Sequence, residues 1–301
     1  MRAIVIGNAA LDETFPLAAL PRAGETVLTG EPTLSPGGKG ANQAVILARA
    51  GLSVRLVARI GADREGACLR ARLAVERLAD GLIEGPERTD RSLILLDRAG
   101  ENCIVSTASA ARALTASEAE GAINGITAPA LVLLQGNLTV ETTKAALQRA
   151  RARGFVTVFN PAPVAQEFAS LLPYATLVVA NAREAEVLTG CTDEAAARSL
   201  VAAGAECAAL TLGPQGALFA DATHVTTTPA LPAPCVDATG AGDTFTAVLA
   251  AARFARGLAW PAALSAATAA AAITIGKRGT FTAFPTAREL ARIFDRALTP
   301  R

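Results

Sequence analysis

Short runs of Val, Ile and Leu alternate along the chain with Ala/Leu/Arg stretches whose apolar residues recur at helical spacing. The runs are Ile4 to Ile6, Val54 to Ile60, Leu131 to Leu134, Val156 to Phe159, Leu177 to Val179 and Cys207 to Leu212. Strands this uniformly apolar are buried on both faces, so the pattern predicts an α/β fold, a mainly parallel central sheet flanked by helices on both faces. Two segments break the rhythm. Residues 14–35 are rich in Pro and Gly around a β-leaning stretch, Thr26 to Thr29, while Ser92 to Asp97 and Asn102 to Thr107 flank Arg98-Ala99-Gly100-Glu101 as a hairpin. Segments 14–35 and 91–107 are expected to form a small antiparallel β lid on one domain spanning 1–301.

Two predicted helices open on glycine clusters. Asp237-Ala238-Thr239-Gly240-Ala241-Gly242-Asp243 precedes Thr244 to Phe254, which is apolar or small at helical spacing. Gly240, Ala241 and Gly242 are therefore expected at a helix N-terminus, where free N–H groups and the positive end of the dipole attract an anion. Asp243 falls in the first turn beside that anion, an unfavourable place for a carboxylate unless it takes a proton from a group attacking a phosphate. A plainer reading stands beside it, because Asp in a first turn and Gly-x-Gly before a helix are both ordinary chain chemistry.

The second cluster, Pro36-Gly37-Gly38-Lys39-Gly40-Ala41-Asn42, precedes Gln43 to Ala50, with a small-residue stripe at Ala41, Ala44, Val45 and Ala48. Its glycines let backbone approach a ligand, and Lys39 and Asn42 supply a charge and an amide. Lysine is otherwise present only at 144 and 277. The loop is not a Walker phosphate loop, since Gly40 stands where Ser or Thr should hold Mg²⁺, and neither cluster completes a dinucleotide fingerprint.

Composition narrows the classes further. The 301 residues are 51% hydrophobic, ample for a core, and 28 basic against 27 acidic residues leave a formal net charge of +1 without a basic block. That balance speaks against nucleic acid or an anionic membrane as partner. Five scattered cysteines imply neither a disulfide framework nor a zinc site, and they are expected to be buried free thiols in a reducing cytoplasm. The N-terminus starts on a strand-like run rather than a signal peptide, and Ala262 to Ile275 is shorter than the roughly 20 residues of a bilayer span, so it is expected as a buried helix. His224 receives no role, and Trp260 and Tyr174 are expected as packing anchors.

Taken together, Gly37-Gly38-Lys39-Gly40-Ala41-Asn42-Gln43-Ala44 and Asp237-Ala238-Thr239-Gly240-Ala241-Gly242-Asp243-Thr244-Phe245 resemble the two signatures of the ribokinase-like, or PfkB, family of carbohydrate kinases. Asn160-Pro161-Ala162-Pro163, Asn181-Ala182-Arg183-Glu184-Ala185-Glu186 and Thr211-Leu212-Gly213-Pro214-Gln215-Gly216 resemble its internal landmarks. The resemblance implies an ATP-dependent kinase with Mg²⁺ that phosphorylates a hydroxyl of a small sugar. It makes Asp243 the base and Gly240, Ala241 and Gly242 the anion hole. Asp12, at the end of the first strand, would grip sugar hydroxyls with Gly37, Gly38, Lys39, Asn42 and Asn137. Asn181 and Glu184 would act on the nucleotide phosphates, Glu184 through Mg²⁺ or water, while Thr211, Gly213 and Gly216 would shape the nucleotide loop. Asp237 and Thr239 would support a monovalent-cation site for K⁺, and the lid edges would pair in a homodimer.

Each has a bland counterpart: Asp12 as a turn residue, Asn181 as a helix cap, Glu184 as part of a solvated helix face. Three positions depart from the pattern of ribose users, where Asn, Glu and Asn give way to Ala10, Asn137 and Ala111, and Ala283 replaces a serine near the cation. Loss of those polar contacts argues against ribose itself. Two other functions share the scaffold, a nucleoside kinase and a non-catalytic sugar or nucleotide sensor. A content of only 4% aromatic residues disfavours base stacking.

Overall fold

The computed structural model describes residues 1–98, 100–126 and 130–298, so Ala99 of the expected hairpin turn lies outside the described residues. The first strand, β1 (Arg2–Ile6), lies between β4 (Ser53–Gly61) and β8 (Ala130–Gln135), parallel to both. The sheet continues from β4 to β5 (Leu82–Gly85) and from β8 through β9 (Val156–Asn160), β10 (Leu177–Asn181) and β11 (Cys207–Thr211), all parallel. Two antiparallel strands, β12 (Ala217–Asp221) and β13 (Val225–Thr228), finish one edge and complete nine strands among the described residues.

Residue alternation along each strand divides the core into two layers. Ala3 and Val5 of β1 and Leu131 and Leu133 of β8 face α1 (Lys39–Arg49), α8 (Ala241–Ala250), α9 (Trp260–Ile275) and α10 (Ala287–Leu298). Ile4, Ile6, Val132 and Leu134 face the opposite layer, built from α4 (Ala116–Asn124), α5 (Val140–Ala152), α6 (Ala182–Thr189) and α7 (Asp193–Ala202). Each such Val, Leu or Ile side chain contributes about 1.5–3 kcal/mol by burial, so a one-residue slip in register would be prohibitive. Two further helices, α2 (Arg64–Val75) and the short α3 (Ser109–Ala113), follow β4 and the lid.

The alanine-rich α9 is the expected buried helix: Ala263, Ala266, Ala267 and Ala270 are buried in the same layer as α8. Trp260 anchors its start, stacked on Phe219 at 4.1 Å between ring centroids. Among the described residues no helix is long and apolar enough to cross a membrane.

The lid sheet has the order β3 (Thr33–Gly37), β2 (Ala10–Pro16), β6 (Asp90–Leu96), β7 (Asn102–Ser106). Its outer pairings are antiparallel and its central β2–β6 pairing is parallel. Three expectations need correcting. Asp12 lies within β2 of the lid, not at the end of β1, because the chain leaves the large sheet at Ile6 and re-enters strand at Ala10. Thr26 to Thr29 form no strand: β propensity has no effect without a partner, and Leu28 is 97% exposed. Of the cysteines only Cys207 is buried, which pushes its thiol up to about 12, whereas Cys68, Cys103 and Cys235 are exposed.

Candidate active site

Four neighbouring parallel strands end on a polar side chain: Gln135, Asn160, Asn181 and Thr211. The register pairs Gln135 with Asn160 and Asn181 with Thr211. Beyond these carboxyl ends, where open α/β sheets bind ligands, lies a cavity of ≈ 700 Å³ roofed by Ile94, Asn102 and Ile104 of the lid.

Both glycine clusters do open helices at this cavity, but the two N-termini differ. Gly38, with φ 89°, precedes α1. There the Gly40 N–H donates to Asn8 Oδ1 at 3.2 Å and the Ala41 N–H to Asn8 O at 2.9 Å, so α1 is sealed by Asn8. Gly240, at φ 78°, precedes α8, which begins at Ala241 and so has Asp243 in its first turn. Among the described residues the N–H groups of Gly240, Gly242 and Asp243 have no acceptor, and Gly240 and Gly242 line the cavity. Ala241 departs from expectation: its N–H closes a turn onto Ala238 O at 3.3 Å, and it does not line the cavity.

Asp243 is buried at 4% exposure, and each carboxylate oxygen accepts one amide. Asn42 Nδ2 donates to Oδ2 at 2.8 Å and Gln43 Nε2 to Oδ1 at 2.9 Å. Because Asn42 must turn its nitrogen to the carboxylate, its Oδ1 faces away, buried and without a partner. Asn137 Oδ1 is also buried without a partner, and both residues line the cavity. Orphaned acceptors at a cavity wall call for a ligand rich in hydroxyl donors.

Asp12 also lines the cavity. Burial pushes its carboxyl up to about 7, opposed by a hydrogen bond from Ser92, which faces it across the parallel β2–β6 pair, reinforced by the Asp243 charge and opposed by Lys39. Ser106 Oγ in turn donates to Ser92 at 3.0 Å. Gly38 and Lys39 line the same end. Gly37 does not; a Cβ there would collide with the Asp12 carboxyl, so its glycine makes room for that side chain. Of the three departures from ribose users, only Asn137 reaches the cavity; Ala10 and Ala111 are buried elsewhere.

Asn181 and Glu184 form a capping box at the start of α6, the Asn181 Oδ1 accepting the Glu184 N–H and Glu184 Oε2 accepting the Asn181 N–H, both at 2.8 Å. Both also line the cavity, with Thr211. Burial raises the Glu184 carboxyl above its ordinary value, opposed by the Asn181 N–H and Lys39 and reinforced by Asp243. Gly213 and Gly216 stay off the cavity wall; Gly216, at φ 105°, is required by close approach to the backbone at Thr228. Asp237 straps the loop, Oδ1 accepting from Thr239 N at 2.9 Å and Oδ2 from Gly279 N at 3.0 Å. Thr239 borders the cavity and its Oγ1 accepts from Asn102 Nδ2 of the lid at 3.1 Å.

Asn8, Asn102 and the amides Gln43, Gln135 and Asn160 received no role from the sequence. A signal existed, since β8 to β11 are apolar runs, interrupted only by Thr157 in β9, that each end on a polar side chain at the ligand edge.

A family model described as pfkB family carbohydrate kinase matches residues 2–287. A ribokinase of Bacillus subtilis is 31% identical over 294 residues, covering 97% of this chain and 98% of the relative. Among solved structures, a ribokinase from Thermotoga maritima matches with a TM-score of 0.85 at 27% identity, covering 98% of this chain and 99% of that one. A ribokinase from Cryptococcus neoformans in complex with ADP matches with a TM-score of 0.81 at 28% identity and the same coverages. With both glycine clusters at one cavity and the match running through nearly the whole chain, the chain belongs to the PfkB family of carbohydrate kinases.

Proposed function

We propose that this protein transfers the γ-phosphoryl group of ATP to a hydroxyl, a primary one, of a small neutral sugar or sugar-like alcohol. The observation that carries this reading is Asp243, a buried carboxylate held by two amides beside a helix N-terminus with open N–H groups. Asp243 would take the hydroxyl proton as that oxygen forms its bond to the γ-phosphorus and the bond to the ADP oxygen breaks. The N–H groups of Gly240 and Gly242 would meet the charge that spreads over the transferring oxygens.

Asp12, Gly38, Lys39, Asn42 and Asn137 would hold the acceptor, with Gly37 serving Asp12. The orphaned Oδ1 atoms of Asn42 and Asn137 support a polyhydroxyl ligand. The cavity wall carries three carboxylates, Asp12, Glu184 and Asp243, against one cation, Lys39, which disfavours an acceptor bearing its own carboxylate. No aromatic side chain is among the residues lining it, so a nucleoside would find no stacking platform there.

The nucleotide would lie toward Asn181, Glu184 and Thr211, and the ADP complex of the Cryptococcus relative supports a nucleotide site on this scaffold. Gly213 and Gly216 would shape the adjoining turn from behind. Mg²⁺ would be carried mainly by phosphates and water, with Glu184 acting on it indirectly. When bound, that ion would offset phosphate charge. At Asp237 and Thr239 a monovalent cation such as K⁺ would use the lone pairs left on Asp237, whose oxygens each take one main-chain donor, without a hydroxyl from Ala283. A single domain over 1–301 and a homodimer through the lid complete the proposal, the latter supported by exposed apolar residues Leu34, Ile104 and Val105 on the lid's edge strands.

An ADP-release screen with Mg·ATP over neutral pentoses, hexoses, polyols, sugar acids and nucleosides tests the reading. Release with a neutral sugar, lowered about 10²–10⁴-fold in Asp243→Asn with ADP binding retained, is expected. Release confined to nucleosides or sugar acids would overturn the substrate class, and no release with any acceptor would leave a sensor.

A further inference from the structure

Behind Asp243 runs a chain of side-chain amides, most of it beneath the cavity wall. Its sense is set at one end, because the Val179 carbonyl can only accept, so Asn160 must turn Nδ2 toward it, at 2.8 Å, and Oδ1 the other way. Oδ1 accepts from Gln43 Nε2 at 3.1 Å, and the same nitrogen donates to Asp243 Oδ1 at 2.9 Å. Gln43 Oε1 then faces back and accepts from Gln135 Nε2 at 2.7 Å. None of the three amides can flip without setting acceptor against acceptor or donor against donor.

A second observation concerns the far end. Gln135 Oε1 is buried without a partner and lies so close over Gly7 that a Cβ there would collide with it. Gly7 also admits the close approach of the Gly40 backbone, but the buried Gln135 carbonyl costs free energy that an apolar side chain would not, and what Gln135 supplies in return is a donor to Gln43.

We propose that Gln43 is a positioning residue for the transfer step, keeping the Asp243 carboxylate off the open N–H groups of its own helix. A carboxylate in the first turn can swing back to cap the helix that carries it. In α8 that swing would remove the base and fill the anion site at once. Gln43 on Oδ1 and Asn42 on Oδ2 hold the group in the opposite direction, and the Val179 anchor keeps the Gln43 hydrogen aimed. The inference rests on the base role proposed for Asp243.

Gln43→Met keeps the length and removes both donors. Expected is a fall in kcat of about 10²-fold with sugar KM and ADP affinity within about twofold, alongside a lower Tm because Gln135 Nε2 and Asn160 Oδ1 lose their partner. Asp243→Asn and the double variant close the cycle: if Gln43 acts through Asp243, Gln43→Met lowers kcat no further in the Asp243→Asn background, whereas a purely structural role would be additive. A kcat within about threefold of the parent in Gln43→Met, or an additive double variant, overturns the proposal. A high kcat in Asp243→Asn alone would instead bring down the base reading. Should Gln43→Met not fold, Gln135→Met is read by the same criteria, with a fall of about tenfold expected.

Discussion

Gly37 and Asp12 sit diagonally across the antiparallel β2–β3 pair, with the carboxyl of Asp12 in the space that a side chain at 37 would occupy. Gly37→Ala is therefore expected to push the carboxylate out of the cavity without unfolding the lid, since φ at 37 is not in the left-handed region. Sugar KM should rise at least about tenfold, the size of one lost charged hydrogen bond, with ATP KM little changed. Steady-state kinetics on the purified variant checks this, and an unaltered sugar KM would refute it.

Burial raises Asp12 from its ordinary value of 3.8 to about 7 in the folded chain. The folded chain therefore binds a proton that the unfolded chain has released, so this group's stabilisation is full below pH 3.8 and lost as pH climbs through about 7. Thermal melts should show the parent losing stability relative to Asp12→Asn over that window and holding a constant difference above it. Ionised Asp12 accepts hydroxyl donors, so sugar KM should fall as pH rises through about 7, with Asp243, Lys39 and Ser92 as the groups that face it. A flat KM profile would contradict the role of Asp12.

Gly240 precedes α8 at φ 78°, and a Cβ there would lie 2.5 Å from Phe284 Cε1. Gly240→Ala is expected to lose at least about 1–2 kcal/mol from the left-handed conformation alone, read by urea denaturation, and to lower kcat as the N–H groups of the first turn shift. Retained stability would mean the loop has a second conformation.

Glu184→Gln keeps the capping box, since Gln serves at the third helical position as Glu does, but removes the charge. Tm should change little while the Mg²⁺ concentration for half-maximal rate rises several-fold. A Mg²⁺ titration identical to the parent's would move the ion's anchor elsewhere.

Thr239→Val removes the acceptor that ties Asn102 of the lid to the anion loop. Water should then reach the phosphates more often, and ATP hydrolysis without sugar should rise several-fold relative to sugar phosphorylation. Phosphate release measured with and without acceptor decides it.

The sheet and both ligand loops were legible because they rest on local rules: apolar runs for buried strands, glycine clusters followed by helical spacing for the two N-termini. Less visible was what distinguishes those N-termini, since Asn8 seals α1 from 32 residues away in sequence. Gln43, Gln135 and Asn160 escaped for the same reason, each amide gaining its partner only when separate elements converge. Asp12 reads as the end of the first strand because nothing local marks where the chain passes from the large sheet to the small one. Thr26 to Thr29 misled by composition, a strand-like stretch with nothing to pair against.

The two buried carboxylates at the cavity belong to different bodies. Asp12 rides on β2 of the small sheet, whereas Asp243 is fixed to α8, and Lys39 and Asn42 to α1, both helices packed against the large one. Any swing of the small sheet would thus carry the Asp12 side of the sugar's grip with it and leave the phosphate end standing. Acceptor capture and shielding become a single mechanical event, and an enzyme caught half open would be one that has let go of its sugar before its nucleotide.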